Sequence, residues 1–196
     1  MDYLERYLDI YNDALDAIPS IYYLWEKAQP YVEKGDEKKI KKIENLIFLI
    51  HNSVVSPKTK LGEGVKFAYG GIGTVLHKDA VIGNGVAIGQ GVTIGGSPGK
   101  FGTNDDGSRF FVPNIKDNVY IAAGCRVFGG VNIGKFSIIG ANSVVVTDVE
   151  DFSVYVGQPA SKKIKITKDN CLKYRSFFHY TKEAGKEEYM SCFPDM

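Results

Sequence analysis

Aliphatic side chains recur at every sixth position through the middle of the chain. The repeat runs through Leu76, Ile82, Ile88, Ile94, Ile115, Ile121, Val127, Ile133, Ile139 and Val145. An earlier run of Val55, Leu61 and Phe67 has the same period in a shifted phase. An amphipathic helix has a period of about 3.6 residues and a half-buried strand a period of about 2. The longer period therefore indicates a repeating unit of a different kind.

Two further positions repeat within each unit. The fourth residue after the aliphatic is small, as at Ala80, Val86, Val92, Val119, Cys125, Val131, Ser137 and Ser143. The residue directly after the aliphatic is often glycine, as at Gly62, Gly83, Gly89, Gly95, Gly134 and Gly140. Such a unit is one short strand and one turn, with the aliphatic side chain inward and glycine at the turn. Three units make a triangular coil, and stacked coils share a core, so the pattern predicts a parallel β-helix.

The repeat is interrupted twice. Extra residues occur between Phe67 and Leu76, and a longer excursion, residues 96–113, separates Ile94 from Ile115. The excursion is rich in Gly, Pro, Asn and Asp, which is typical of a loop that leaves the coil. Interruptions in a repeat fold commonly carry binding or catalytic loops, so we expect the specific chemistry of this chain at these two places.

The two ends have another pattern. Residues 1–52 have apolar residues at helical spacing, which predicts two or three helices. One series is Leu4, Leu8, Tyr11, Leu15 and Ile18. The other is Ile40, Ile43, Ile47 and Ile50, and Asp36 before it is the N-cap candidate. Residues 53–166 form the predicted β-helix. Residues 167–196 form a short tail, with a helix expected near 170–186.

Composition narrows the class of protein. The 24 basic and 23 acidic residues give a net charge of +1, so no global charge attracts nucleic acid or an anionic membrane. No stretch approaches the length of a membrane-spanning helix, and the first residues do not have the pattern of a secretory signal. The 3 cysteines are widely spaced. We therefore expect a cytoplasmic protein with reduced thiols.

The strongest candidate for chemistry is His77, which directly follows an inward aliphatic and closes the first interruption. Histidine is the usual general base at neutral pH. Residues one coil apart stack, so His77 should lie beside Gly95 and Gly96, whose amides are candidates for stabilising an oxyanion. Asp79 is a candidate to orient the imidazole. His51 and His179 are interpreted as structural.

The Ile-Gly-x-x-small-x repeat and the closing Gly157-Gln158-Pro159-Ala160 segment resemble the hexapeptide-repeat acyltransferases. The resemblance implies a mainly β, left-handed parallel β-helix that assembles as a homotrimer, with active sites between subunits. It implies acetyl-CoA as donor and no metal. The residues it assigns to coenzyme A are the small Ala123 and Ala141 at coil corners and the basic Lys162 and Lys163.

The identity of the acceptor is inferred from the positions at which the sequence differs from the acyltransferases that it resembles. Serine acetyltransferases have an Asp-His pair early in the coil and a His-Pro step after the loop. Here those places hold Ala68-Tyr69 and Val112-Pro113. The glycine-rich 70–77 segment resembles polysaccharide O-acetyltransferases instead. We therefore expect transfer to a hydroxyl of a sugar or of a capsule or lipopolysaccharide glycan, with acceptor contacts from Tyr69, Gly70 and Gly71.

Three alternatives stay open. One is a serine O-acetyltransferase of cysteine biosynthesis, another a nucleotide-sugar N-acetyltransferase, and the third a solenoid scaffold without catalytic activity. A γ-class carbonic anhydrase shares the coil but needs three histidine ligands for zinc. Only His77 lies within the repeat, which argues against that class.

Overall fold

The six-residue units fold into short strands that stack in parallel, as the period predicts. The computed structural model describes residues 18–104, 106–181 and 184–195. Strands one coil apart pair in register, for example Leu76 with Ile94 and Ile94 with Val127. The aliphatic residues of the repeat are almost wholly buried and form one continuous core. Each buried isoleucine contributes about 1.5–3 kcal/mol through the hydrophobic effect.

Three sheets form the faces of a triangular prism. The first face contains β1 (Lys60–Leu61), β4 (Val81–Ile82), β9 (Asn114–Ile115) and β12 (Asn132–Ile133). The second contains β2 (Lys66–Phe67), β5 (Ala87–Ile88), β10 (Tyr120–Ile121), β13 (Ile138–Ile139), β15 (Ser153–Gly157) and the antiparallel β16 (Ala160–Lys165). The third contains β3 (Val75–Leu76), β6 (Thr93–Gly95), β11 (Arg126–Phe128) and β14 (Val144–Val145).

Two helices precede the coil, α1 (Ile21–Glu33) and α2 (Glu37–His51). The predicted N-cap of α2 is confirmed, because the Asp36 carboxylate accepts a hydrogen bond from the Lys39 amide at 3.0 Å. The helix predicted from Leu4 falls almost wholly on residues 1–17, outside the described residues. None of the helices in the described ranges has the length and apolarity needed to cross a membrane.

The two interruptions take different forms. The first is a 3₁₀ turn, Ala68–Gly71, in which Tyr69 and Gly70 have left-handed backbone angles (φ 51° and 72°). The second contains a small antiparallel hairpin of β7 (Gly102–Thr103) and β8 (Arg109–Phe110). The excursion expected from the sequence is therefore partly ordered by its own strand pair.

The C-terminal tail differs from the single helix expected near 170–186. It forms 3₁₀ turns at Cys171–Phe177 and His179–Thr181, and then the short helix α3 (Lys186–Ser191). The tail packs on the second face through an aromatic cluster around Phe136, which contacts Phe178 and Phe193 at ring-centroid distances of 5.3 and 5.0 Å. Because Phe178 and Phe193 both pack into this cluster, the tail forms short turns instead of one continuous helix.

Candidate active site

His77 lies at the edge where the third face ends and the first begins. Its backbone amide donates a hydrogen bond to the Ile94 carbonyl of the next coil at 2.9 Å. The in-register pairing of Leu76 with Ile94 therefore brings Gly95 and Gly96 beside His77. We call this edge, formed by residues 77–80, 95–113 and 128–131, the His77 edge. The His77 side chain is 42% exposed, so a substrate can reach it.

The imidazole of His77 contacts Asp79 in two ways. The Asp79 amide donates to Nδ1 at 3.2 Å, and the Asp79 carboxylate lies 3.8 Å from the same nitrogen. That carboxylate also pairs with Lys78 at 3.1 Å. A ring nitrogen that accepts an amide proton carries none itself, so the neutral ring in this arrangement has its proton on Nε2.

Two cavities open on either side of His77. One of about 510 Å³ lies between α2 and the third face, where Phe48, Val54 and Val75 contribute apolar surface. The other, of about 600 Å³, lies between His77 and Asp79 on one side and the excursion loop on the other. His77 lines both cavities. Both volumes are within the range of small-molecule sites.

The two glycines beside His77 differ in the direction of their amides. Thr93 donates to the Cys125 carbonyl on the following coil, and N–H groups two residues apart along a strand point the same way. The Gly95 amide is therefore directed into the ladder. Gly96 follows the strand and is exposed, and within the described ranges its amide donates no backbone hydrogen bond. Gly96 is thus the better oxyanion donor.

The coenzyme A candidates Ala123 and Ala141 lie at a different edge, where the second face ends and the third begins. We call this edge, residues 68–73, 89–92, 122–125 and 140–143, the Ala123 edge. Its coils stack closely: a Cβ on Gly89 would collide with the backbone of Ala122 and Ala123. Ala141 is exposed, and Ala123 lines a cavity of about 490 Å³ beside the C-terminal tail.

The acceptor candidates Tyr69, Gly70 and Gly71 also lie at the Ala123 edge. Tyr69 is 76% exposed and lines the same cavity as Ala123. A Cβ on Gly71 would overlap the Ile21 side chain of α1, and a Cβ on Gly70 would lie 3.0 Å from the His51 ring. Packing of the N-terminal helices therefore accounts for both glycines, and Tyr69 alone of the three presents a side chain to a ligand.

The other histidines make structural contacts. The Nε2 atom of His51 lies 2.7 Å from the Pro19 carbonyl, and that of His179 lies 3.0 Å from the Gly64 carbonyl. The first contact ties α2 to the segment that leads into α1, and the second ties the tail to the coil.

The basic candidates Lys162 and Lys163 are exposed on β16. Lys162 pairs with Glu150 at 2.6 Å, and this hydrogen bond holds the pKa of the Glu150 carboxyl below its usual range. An exposed pair of this kind contributes little to stability. Of the two lysines, Lys162 must therefore exchange this partner before it binds a phosphate.

The sequence interpretation missed Arg109, Phe101 and Phe111 in the excursion loop. Arg109 and Phe111 line the 600 Å³ cavity with His77. The Arg109 guanidinium lies 4.1 Å from the centroid of the Phe101 ring, and the Phe101 and Phe111 rings are 6.1 Å apart. The available signal was weak: Arg109 is the only arginine of the excursion. Among the described residues, no group of three His, Cys, Asp or Glu side chains is arranged to hold a metal ion.

The amino-acid sequence of this chain is similar to those of known enzymes. No family model matches it. It is 36% identical over 118 residues to the serine acetyltransferase of Haemophilus influenzae, a match that covers 60% of this chain and 41% of that protein. In sequence, the chain therefore resembles the serine acetyltransferases.

Solved structures give the same likeness. The serine acetyltransferase of Neisseria gonorrhoeae in complex with serine aligns with a TM-score of 0.62 at 31% identity, over 71% of this chain and 54% of that one. The Brucella abortus serine acetyltransferase in complex with coenzyme A aligns at 0.64 and 26%, over 73% and 54%. The expected fold class is confirmed: a left-handed parallel β-helix with helices before it. This chain thus spans about half the length of the solved structures it matches.

Proposed function

We propose that this chain is an acyltransferase that moves an acetyl group from acetyl-CoA to a hydroxyl. The observation that carries the proposal is the position of His77, the single histidine of the repeat, between two cavities and beside the Gly96 amide. The likeness to a serine acetyltransferase in complex with coenzyme A supports the same donor. A base next to an oxyanion donor is the arrangement that acyl transfer requires.

In the proposed step, the acceptor oxygen attacks the thioester carbonyl carbon while Nε2 of His77 takes the hydroxyl proton. The negative charge that forms on the carbonyl oxygen is stabilised by the Gly96 amide. The carbon–sulfur bond then breaks, and the thiolate takes the proton from His77. For Nε2 to accept a proton, Nδ1 must carry the other one, so the Asp79 carboxylate, 3.8 Å away, replaces the Asp79 amide as the partner of Nδ1.

The complete site needs two edges that one chain keeps apart. His77 and Gly96 belong to the His77 edge, whereas Ala123, Ala141 and Tyr69 belong to the Ala123 edge. In the proposed homotrimer, the His77 edge of one subunit faces the Ala123 edge of the next, and acetyl-CoA lies between them. A closed threefold ring uses every such pair of edges once. Lys163, and Lys162 after exchange of its Glu150 partner, would bind the coenzyme A phosphates.

L-serine is the first acceptor to test, because the names of the similar proteins favour it over the glycan expected from the sequence. The glycan stays the second candidate. It is favoured by Tyr69 and Val112, which stand where the serine acetyltransferase signature has histidines.

Release of free thiol from acetyl-CoA tests the proposal. The purified chain is incubated with acetyl-CoA and a thiol reporter, with L-serine, with a panel of sugars, and without acceptor. We expect acceptor-dependent thiol release and an acetylated product by mass spectrometry. Absence of thiol release with every acceptor, together with absence of saturable acetyl-CoA binding by calorimetry, would favour the non-catalytic scaffold.

A further inference from the structure

The cavity between α2 and the third face has an apolar floor that begins beside His77. The floor is a row of side chains, one from each coil, in which Val54 pairs with Val75 and Val75 pairs with Thr93. Phe48 of α2 forms part of the opposite wall. Phe48, Val54 and Val75 stay 39–55% exposed, so this cavity of about 510 Å³ presents apolar surface that no described residue covers. We call it the α2 groove.

The charged residues around the α2 groove are paired with polar groups. Lys41 lies 3.3 Å from Glu44, and the Glu44 carboxylate also accepts a hydrogen bond from the Ser56 hydroxyl at 2.8 Å. Lys78 pairs with the Asp79 carboxylate at 3.1 Å. Because these charges already have partners, an apolar ligand in the groove does not leave an unpaired charge without water. The lining therefore favours an alkyl group over a polar one.

The position of the α2 groove beside the proposed base indicates which alkyl group it fits. His77 lines the groove on one side and the cavity of about 600 Å³ on the other. In the proposed step the thioester carbonyl lies at His77 and Gly96, so an alkyl chain on that carbonyl begins at the end of the groove. Neighbouring strands are about 4.8 Å apart, so the floor from Val54 to Thr93 is about 10 Å long and has room for several methylenes.

We infer that the α2 groove binds the alkyl chain of the acyl donor, and that the protein transfers medium-length acyl groups from acyl-CoA as well as acetyl. The inference rests on the proposed function, in which the thioester lies at His77. The bonds that change are the same: the carbon–sulfur bond breaks, an ester bond forms with the acceptor oxygen, and the hydroxyl proton ends on the coenzyme A thiol. The acceptor occupies the cavity on the other side of His77.

A series of acyl-CoA donors tests the preference for chain length. Acetyl-, butyryl- and hexanoyl-CoA are compared by thiol release with the same acceptor. One fully buried methylene contributes a factor of about four in affinity. For the wild-type protein, we therefore expect kcat/KM to rise along the series and to be at least about tenfold higher for hexanoyl-CoA than for acetyl-CoA. Val75→Trp and Val54→Trp fill the groove and should bring that ratio to one or below.

Val81→Trp is the matched control. Val81 is 38% exposed against 39% for Val75, and each is the first residue of a two-residue strand. Val81 lies on the first face and does not line the groove, so the wild-type ratio should be kept. The inference is overturned if hexanoyl-CoA is no better than acetyl-CoA for the wild type, if both groove variants keep the preference, or if Val81→Trp loses it too. It is also overturned if the groove variants change the oligomeric state in sedimentation, since the groove would then contact a second copy of this chain.

Calorimetric titration with acetyl-CoA and hexanoyl-CoA, without acceptor, separates this inference from the proposed function. Tighter binding of hexanoyl-CoA by the wild type, lost in Val75→Trp and kept in Val81→Trp, supports the alkyl site even if no acyl transfer is found. Acetyl transfer with equal binding of the two donors in all three proteins supports the proposed function and rejects the role of the α2 groove.

Discussion

The His77 edge and the Ala123 edge are built on the same repeat, but they differ in packing and in the residues they present. At the Ala123 edge the coils are in close contact, and Gly89 leaves no room for a side chain against Ala122 and Ala123. At the His77 edge the chain leaves the coil for the excursion, and a Cβ on Gly95 would meet nothing closer than the Phe128 ring at 3.9 Å. Each edge carries one interruption of the repeat and one cavity, but only the excursion at the His77 edge is long enough to form most of its cavity's wall.

The largest expected effect on activity comes from removing the proposed general base, His77. His77→Ala should lower kcat by about 10²–10⁴-fold, the usual contribution of general base catalysis. The unfolding temperature should stay near that of the wild type, because the side chain is 42% exposed. Thiol release and thermal unfolding measure the two effects. Asp79→Asn retains the backbone amide and should cause a smaller loss; near-normal turnover in His77→Ala would show that the base lies elsewhere.

A pair of glycine substitutions compares the packing of the two edges. Gly89→Ala should lower the free energy of unfolding by about 1–3 kcal/mol, because the new methyl group collides with backbone atoms. Gly95→Ala should change it by less than about 0.5 kcal/mol, as at an uncrowded site. Urea unfolding of both variants measures the difference. Equal destabilisation would mean that the surroundings of Gly95 are packed as closely as those of Gly89.

A smaller effect on activity is expected from blocking the surface of the Ala123 edge that is proposed to bind acetyl-CoA. Ala141→Trp should raise the KM for acetyl-CoA by about tenfold, since the indole would occupy the surface proposed for coenzyme A. Stability should be unaffected because Ala141 is exposed. Steady-state kinetics measure the change. The control is Lys116→Trp, at an exposed corner of the remaining edge; the same rise in KM there would remove the case for Ala141.

The regular part of the molecule was the part that the sequence could predict. The six-residue period determines which residues point inward, and the phase brings His77 beside Gly95. Contacts between distant segments could not be predicted from a local pattern. Gly71 is small because Ile21 packs on it, and the tail forms short turns because Phe178 and Phe193 join one aromatic cluster. Arg109 was missed for the same reason, because the sequence of the hairpin that positions it does not follow the six-residue repeat.

The central claim is that one active site combines the His77 edge of one subunit with the Ala123 edge of its neighbour. Mixing two impaired variants, His77→Ala and Ala141→Trp, tests it directly after subunits are exchanged or coexpressed. In a random equimolar mixture about a quarter of all sites should pair two unmodified edges, so activity at low acetyl-CoA should rise well above that of either variant alone. Activity no higher than the average of the two separate variants would show that each site lies within a single chain, and would contradict the account.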